Sequence, residues 1–355
     1  MRLAVLAIGL ALAGPAVSQE AFDPQARVTE ALEAVRPVAL NRDSVDWVSV
    51  EARARELAAS ASDTVDLLPA YHWIVWSLGD NHSFIIPSDE QYDEWVRRNG
   101  RNRYLPDLPR PRVSNSGFLG RPVSGRDLSL ETGSVARTVV VPAFDGSDAD
   151  NAFAQSITSA LGGGSACGFV VDLRGNSGGN MFPMIAGLWP LLGEGFSYPA
   201  IAGPGLEDGR ISFESGQMVG YASPGAGAQT FGALSTWTPG TAISQLPVAV
   251  LIDDGVASSG EGTAIALRGR EGTRYFGQPT YGIASANAIL TLSDGIQMAV
   301  TAAYLRDSQG RIYLDGIPPD EPVTTGDGDP GDPDDAVLEA AKAWLAQQPS
   351  CGGQA

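Results

Sequence analysis

The sequence predicts an α/β protein with a mainly parallel sheet and a helical N-terminal segment. Two observations carry this. Short apolar runs rich in β-branched residues alternate with helical patterns across residues 137–267, and such alternation indicates βαβ units. Ahead of them, apolar residues recur at helical spacing from about Gln25 to Leu78.

Taken in order, Val28, Leu32, Val35 and Leu40 share one helical face, and Leu67, Leu68, Ile74, Val75 and Leu78 share another. Residues 19–90 are therefore expected to form the helical segment. From Phe84 to Ser134 the chain is rich in Arg, Asn, Pro and Gly with weak periodicity, so 91–134 is predicted as a connection of loops and short strands. Arg137–Val141, Gly168–Leu173 and Val248–Asp253 read as strands, followed by helical stretches at Asn151–Leu161, Met181–Leu192 and Gly260–Leu267. Shorter β segments at Asn287–Thr291 and Ile296–Ala302 complete a core over 135–323. Residues 199–245, rich in Gly, Ser, Thr and Pro, predict a surface excursion beside the site. The tail, 324–355, is an acidic Gly/Pro run and a closing helix, Ala336–Gln347. The run lacks the spaced ligands and terminal Glu of an EF-hand, so a solvated linker suits it better than a calcium loop.

The 355 residues carry 41 acidic and 23 basic side chains, a formal charge of −18. Nucleic acid and anionic lipid both require a cationic surface, so this charge argues against either partner. Arg2, the apolar run Leu3–Ala13 and the small residues Ala16-Val17-Ser18 predict a secretory signal peptide over 1–18. The run is short for a bilayer span. The expectation is a periplasmic or secreted chain with no stable membrane insertion after cleavage. Cys167 and Cys351 suit either a disulfide in an oxidising compartment or two separate thiols. They are too few and too separated for a metal site.

Lysine occurs once, at Lys342, and histidine twice, at His72 and His82. A serine hydroxyl needs a neighbouring base to become a nucleophile, so this scarcity narrows any serine mechanism. Ile252-Asp253-Asp254-Gly255-Val256-Ala257-Ser258-Ser259-Gly260-Glu261 runs from a strand through a turn into a helix. A hydroxyl there meets unpaired N–H groups that favour negative charge. The bland alternative is that Ser258 or Ser259 is an N-cap with Glu261 supporting the first turn. Asp172-Leu173-Arg174-Gly175-Asn176-Ser177-Gly178-Gly179-Asn180 also joins strand to helix. Its glycines permit an oxyanion-binding turn, and it lacks the Walker and dinucleotide spacings. Leu78-Gly79-Asp80-Asn81-His82-Ser83-Phe84 presents an imidazole on a loop, whereas His72 lies within the amphipathic helix.

These motifs occur in the order His-Ser, Asp-Leu-Arg-Gly-Asn-x-Gly-Gly, Ala-Ser-Ser-Gly-Glu. Gly277-Gln278-Pro279-Thr280-Tyr281-Gly282 and Gly316-Ile317-Pro318-Pro319-Asp320 follow. The succession, over roughly 65–345, resembles the tail-specific (C-terminal processing) protease family, including its tricorn-core-like branch. The resemblance implies a ClpP/crotonase-like core, serine peptidase activity on a peptide or protein substrate, and no cofactor. It implies Ser258 as nucleophile, with oxyanion donors from Gly178, Gly179 and Ser259. The sequence departs from the processing branch at Ile283, where those enzymes carry a lysine, and 84–134 is short for their PDZ domain. The tricorn-like branch has a histidine at the place of His82 and a glutamate at the place of Tyr313. The acid orienting His82 is then Asp315, beside Gly316, or Asp80, or absent, with Asp315 favoured. The alternative function is a non-catalytic binder of an apolar ligand or peptide on the same scaffold, marked by Ser258 and His82 standing apart.

Overall fold

The computed structural model describes residues 22–352 except 110, 111, 113, 115, 117, 146–149, 163–165, 194–195, 203–208, 215–216, 222–228, 234–241 and 325–333. The expected signal peptide and most of the acidic linker lie outside the described residues.

Asp23, Asp46 and Asp63 cap the first three helices, α1 (Pro24–Val35), α2 (Trp47–Ala58) and α3 (Thr64–Trp76), by accepting first-turn N–H groups. Their shared core buries Val28, Leu32, Val35, Leu67, Leu68, Tyr71, Ile74 and Val75. β1 (Phe84–Ile86) leaves this bundle. The segment expected as loops then holds a helix, α4 (Asp89–Asn99), begun by a capping box between Ser88 and Gln91. Only Trp95 is buried along it, which is why its periodicity is weak in the sequence.

β2 (Ser124–Ser129), β3 (Val135–Val140), α5 (Asp150–Leu161), β4 (Phe169–Asp172), α6 (Met181–Gly187) and α7 (Trp189–Leu192) follow. The predicted surface excursion carries regular structure: β5 (Ser197–Ala202), β6 (Gly209–Glu214), β7 (Gln217–Tyr221) and β8 (Gln229–Ala233) form an antiparallel meander. The chain closes with β9 (Val248–Ile252), α8 (Ser259–Arg268), β10 (Thr273–Gly277), β11 (Ser285–Thr291), β12 (Gln297–Leu305), β13 (Glu321–Pro322) and α9 (Ala336–Ala346).

Two sheets result. One has the order β2-β3-β4-β9-β10-β13, parallel throughout except for antiparallel β2. Strands β4 and β9 are buried at every position, as expected of a parallel sheet covered on both faces. On one face Val139, Val171 and Val250 pack with Ile157, Met184 and Ile265 from α5, α6 and α8. On the other, Val170, Ala249 and Leu251 pack with Leu338, Ala341 and Leu345 of α9. Each fully buried aliphatic side chain contributes about 1.5–3 kcal/mol. The second sheet is antiparallel, order β1-β12-β5-β6-β7-β8 with β11 on β12. Ile85, Leu290, Met298 and Val300 turn one face of it onto the α1–α4 core.

Two ties fasten the C-terminal helix beneath the parallel sheet. Cys167, just before β4, forms a disulfide with Cys351. Arg174, just after β4, lies buried between Asp172 and Asp335, with 2.8 Å contacts to both carboxylates. Burial alone would raise the Asp172 carboxyl, but the Arg174 and Arg121 guanidiniums outweigh it and hold it well below the usual range. Among the described residues, no helix is long and apolar enough to cross a membrane.

Candidate active site

The C-terminal ends of β4 and β9 lie side by side, which brings the two glycine- and serine-bearing turns together. Asp253 at the end of β9 accepts the Gly175 and Gly255 N–H groups at 2.9 and 3.0 Å. Ala257 N–H donates to Asn176 O at 2.9 Å. The second turn ends at Ser258, with φ 51° and ψ −119°. A non-glycine residue held at such a φ costs about 1–3 kcal/mol, and such strain clusters at working sites. Ser258 N–H donates to Glu261 Oε2 at 3.0 Å.

Glu261 is fully buried in the first turn of α8 and receives four donors. Thr280 Oγ1 (2.6 Å) and Gly282 N–H (2.9 Å) reach Oε1. Ile283 N–H (2.8 Å) joins Ser258 N–H on Oε2. Burial pushes its carboxyl up, opposed by these four hydrogen bonds. Four donors on two oxygens suit the ionised group. The sequence suggested a helix-turn role for Glu261; the structure extends that role to the segment carrying Ile283.

Gly178 and Gly179 have φ of 108° and 107°. A Cβ on Gly179 would overlap Phe144 O, and one on Gly178 would meet Ser258 Cβ at 2.9 Å. The three expected oxyanion donors are not equivalent. Gly178 N–H is spent on Asn176 Oδ1 at 3.0 Å. Gly179 N–H and Ser259 N–H have no acceptor among the described residues, and Ser259 Oγ pins the pair by donating to Gly179 O at 2.5 Å.

His82 arrives from the antiparallel sheet. Asp80 Oδ1 accepts both His82 N–H (2.9 Å) and Ser83 N–H (2.7 Å), an Asx turn that lets Asn81 adopt φ 55°. Asn287 of β11 holds His82 O at 3.0 Å. His82 is 8% exposed, with Nε2 2.8 Å from Ser258 Oγ and Nδ1 2.7 Å from Ser285 Oγ. Burial lowers its pKa below the ordinary histidine value, partly opposed by the Asp80 carboxylate.

Ser258 and His82 are thus brought together, but Asp315 is not. Its turn is exposed before Gly316, and the His82 nitrogens face two hydroxyls rather than a carboxylate. Asp80 hydrogen-bonds to the loop backbone and to Ser83 Oγ, and reaches the ring only through its charge. Tyr313 donates to Asp307 Oδ2 at 2.7 Å. Ser285, absent from the sequence reading, gave no signal there: it follows Ile283-Ala284 at the start of an unremarkable strand. His72 is half-buried beside Tyr104, with ring centroids 5.6 Å apart, and Lys342 pairs with Glu339 on α9.

A serine at a helix N-terminus, an imidazole against its oxygen and two N–H groups beside it with no acceptor among the described residues define a serine hydrolase. Residues 138–323 match peptidase family S41, and the chain belongs to that family and is a serine-type peptidase. It is 27% identical over 291 residues to the nisin-resistance protein of Lactococcus lactis subsp. lactis, covering 82% of this chain and 80% of that one. It is 29% identical over 235 residues to the chloroplastic carboxyl-terminal-processing peptidase 2 of Arabidopsis thaliana, covering 65% and 40% respectively. Its fold is similar to that of a lipoprotein from Streptococcus agalactiae, with a TM-score of 0.63, 19% identity and coverage of 95% and 99%. It is also similar to the photosystem II D1 C-terminal processing protease, with a TM-score of 0.54, 16% identity and coverage of 93% and 99%.

Proposed function

We propose that the chain hydrolyses peptide bonds through an acyl-enzyme on Ser258, with His82 as general base and then general acid. Ser258 Oγ attacks the carbonyl carbon as its proton passes to His82 Nε2; the imidazolium returns that proton to the leaving amine. A water then follows the same path and releases the acyl group. The carbonyl oxygen, negative in the tetrahedral state, sits between Gly179 N–H and Ser259 N–H, each such donor contributing roughly 3–4 kcal/mol. Gly178 shapes the turn and donates within it. The observation that carries this reading is the 2.8 Å contact between Ser258 Oγ and His82 Nε2. The same contact disfavours the non-catalytic binder, which expects the two residues apart.

Peptides or protein tails are the proposed substrates, supported by family membership and by relatives named for nisin resistance and carboxyl-terminal processing. The signal-like sequence at 1–18 and the Cys167–Cys351 disulfide support a periplasmic or secreted location. Ser258→Ala and His82→Ala are each expected to reduce peptide hydrolysis by at least about a thousandfold while the circular dichroism spectrum and melting temperature stay close to the parent. Parent-like turnover in either variant would overturn the proposal.

A further inference from the structure

We propose that Ser285 is the positioning residue for His82, its hydroxyl standing where a serine-peptidase triad ordinarily places a carboxylate. The inference rests on the reading of His82 as base and adds the group that holds and serves its far nitrogen.

When Ser258 gives its proton to Nε2, the ring carries protons on both nitrogens, and Nδ1–H needs an acceptor in a buried site. Ser285 Oγ is 2.7 Å from Nδ1 and is the ring's partner there. Nothing is transferred to Ser285: Nδ1–H stays on the ring and donates throughout, while the moving proton travels between Ser258 Oγ, Nε2 and the leaving group. Before reaction the same bond, with Nδ1–H donating, leaves the Nε2 lone pair facing Ser258.

The placement of Ser285 is built in. Its N–H donates to Ile283 O at 2.7 Å, and Ile283 N–H is held by Glu261 Oε2, the oxygen that also holds Ser258 N–H. One buried carboxylate therefore spaces the nucleophile and the positioning residue on either side of the ring. Two residues on, Asn287 fixes the His82 carbonyl from the same strand.

A hydroxyl can accept Nδ1–H but does not neutralise the imidazolium, so the base keeps a lower pKa than a carboxylate-backed histidine. Among the described residues, the charged group that acts on the ring is Asp80, from its own loop. From α8, Glu261 faces Ser258, Thr280, Gly282 and Ile283 instead. From β11 and β12, Asn287 and Thr301 are neutral.

The test is kcat and KM between about pH 4 and 9 for the parent, Ser285→Ala, Ser285→Thr and Ser285→Asp, using a chromogenic peptide that the parent cleaves. The expected result for Ser285→Ala is a kcat about tenfold lower with KM unchanged, and Thr restores most of it. Ser285→Asp should move the acidic limb up by about one pH unit or more, because a carboxylate favours the imidazolium. Parent kcat in Ser285→Ala overturns the proposal. So does equal loss in the Ala and Thr variants with no movement of the limb in the Asp variant, the pattern of a packing role. His82→Ala separates the two claims: if it is inactive while Ser285→Ala is parent-like, only the positioning role fails; if it is active, the base assignment fails.

Discussion

His82 is buried against Ser258, and burial penalises its charged form more than the Asp80 carboxylate favours it. The proposed base must be neutral to accept a proton, so activity is lost as pH falls through its pKa. The acidic limb of kcat/KM is therefore expected below about pH 6.5, the ordinary histidine value. A limb above about pH 7 in a full pH–rate profile would contradict this account of the ring's surroundings. At this scale Ser258 and His82 were legible because motif order singled them out and few other bases exist in the chain. Ser285 was not, because a serine's role depends on which strand lies beside it. Asp315 drew attention by nearness to Gly316 in sequence, yet its turn is exposed.

α8 begins with a strained serine and a buried glutamate three residues later, and these are one device. Glu261 joins the Ser258 backbone to the 280–283 segment through four hydrogen bonds, two on each oxygen. Glu261→Gln keeps the shape but gives an amide whose NH2 faces two donors in either orientation. We expect at least about a tenfold fall in kcat and a lower melting temperature, measured together by steady-state kinetics and thermal unfolding. Parent values in both would show that the carboxylate is not organising the turn. The strands of the parallel sheet were readable because burial on both faces leaves continuous apolar runs. Helix α4 was not, because it buries one side chain, Trp95, and its clearest mark is a capping box. The strands of 199–245 were hidden by a Gly-, Ser- and Thr-rich composition that resembles a loop.

Across the molecule, the site is a meeting of two sheets. Ser258 and Gly179 come from turns of the parallel sheet, while His82 flanks β1 and Ser285 begins β11 in the antiparallel one. Family motifs conveyed Ser258, Gly179 and His82 but neither Ser285 nor the distances among the four, which depend on how one sheet packs against the other. Arg174 and the Cys167–Cys351 disulfide hold α9 under the parallel sheet, so the tail braces the glycine turn that follows Arg174. The most direct measurement is labelling of the folded chain with a fluorophosphonate, followed by mass-spectrometric mapping of the modified peptide. A single adduct on Ser258, lost in His82→Ala, is the predicted result; an unlabelled Ser258, or labelling that persists without His82, would contradict it.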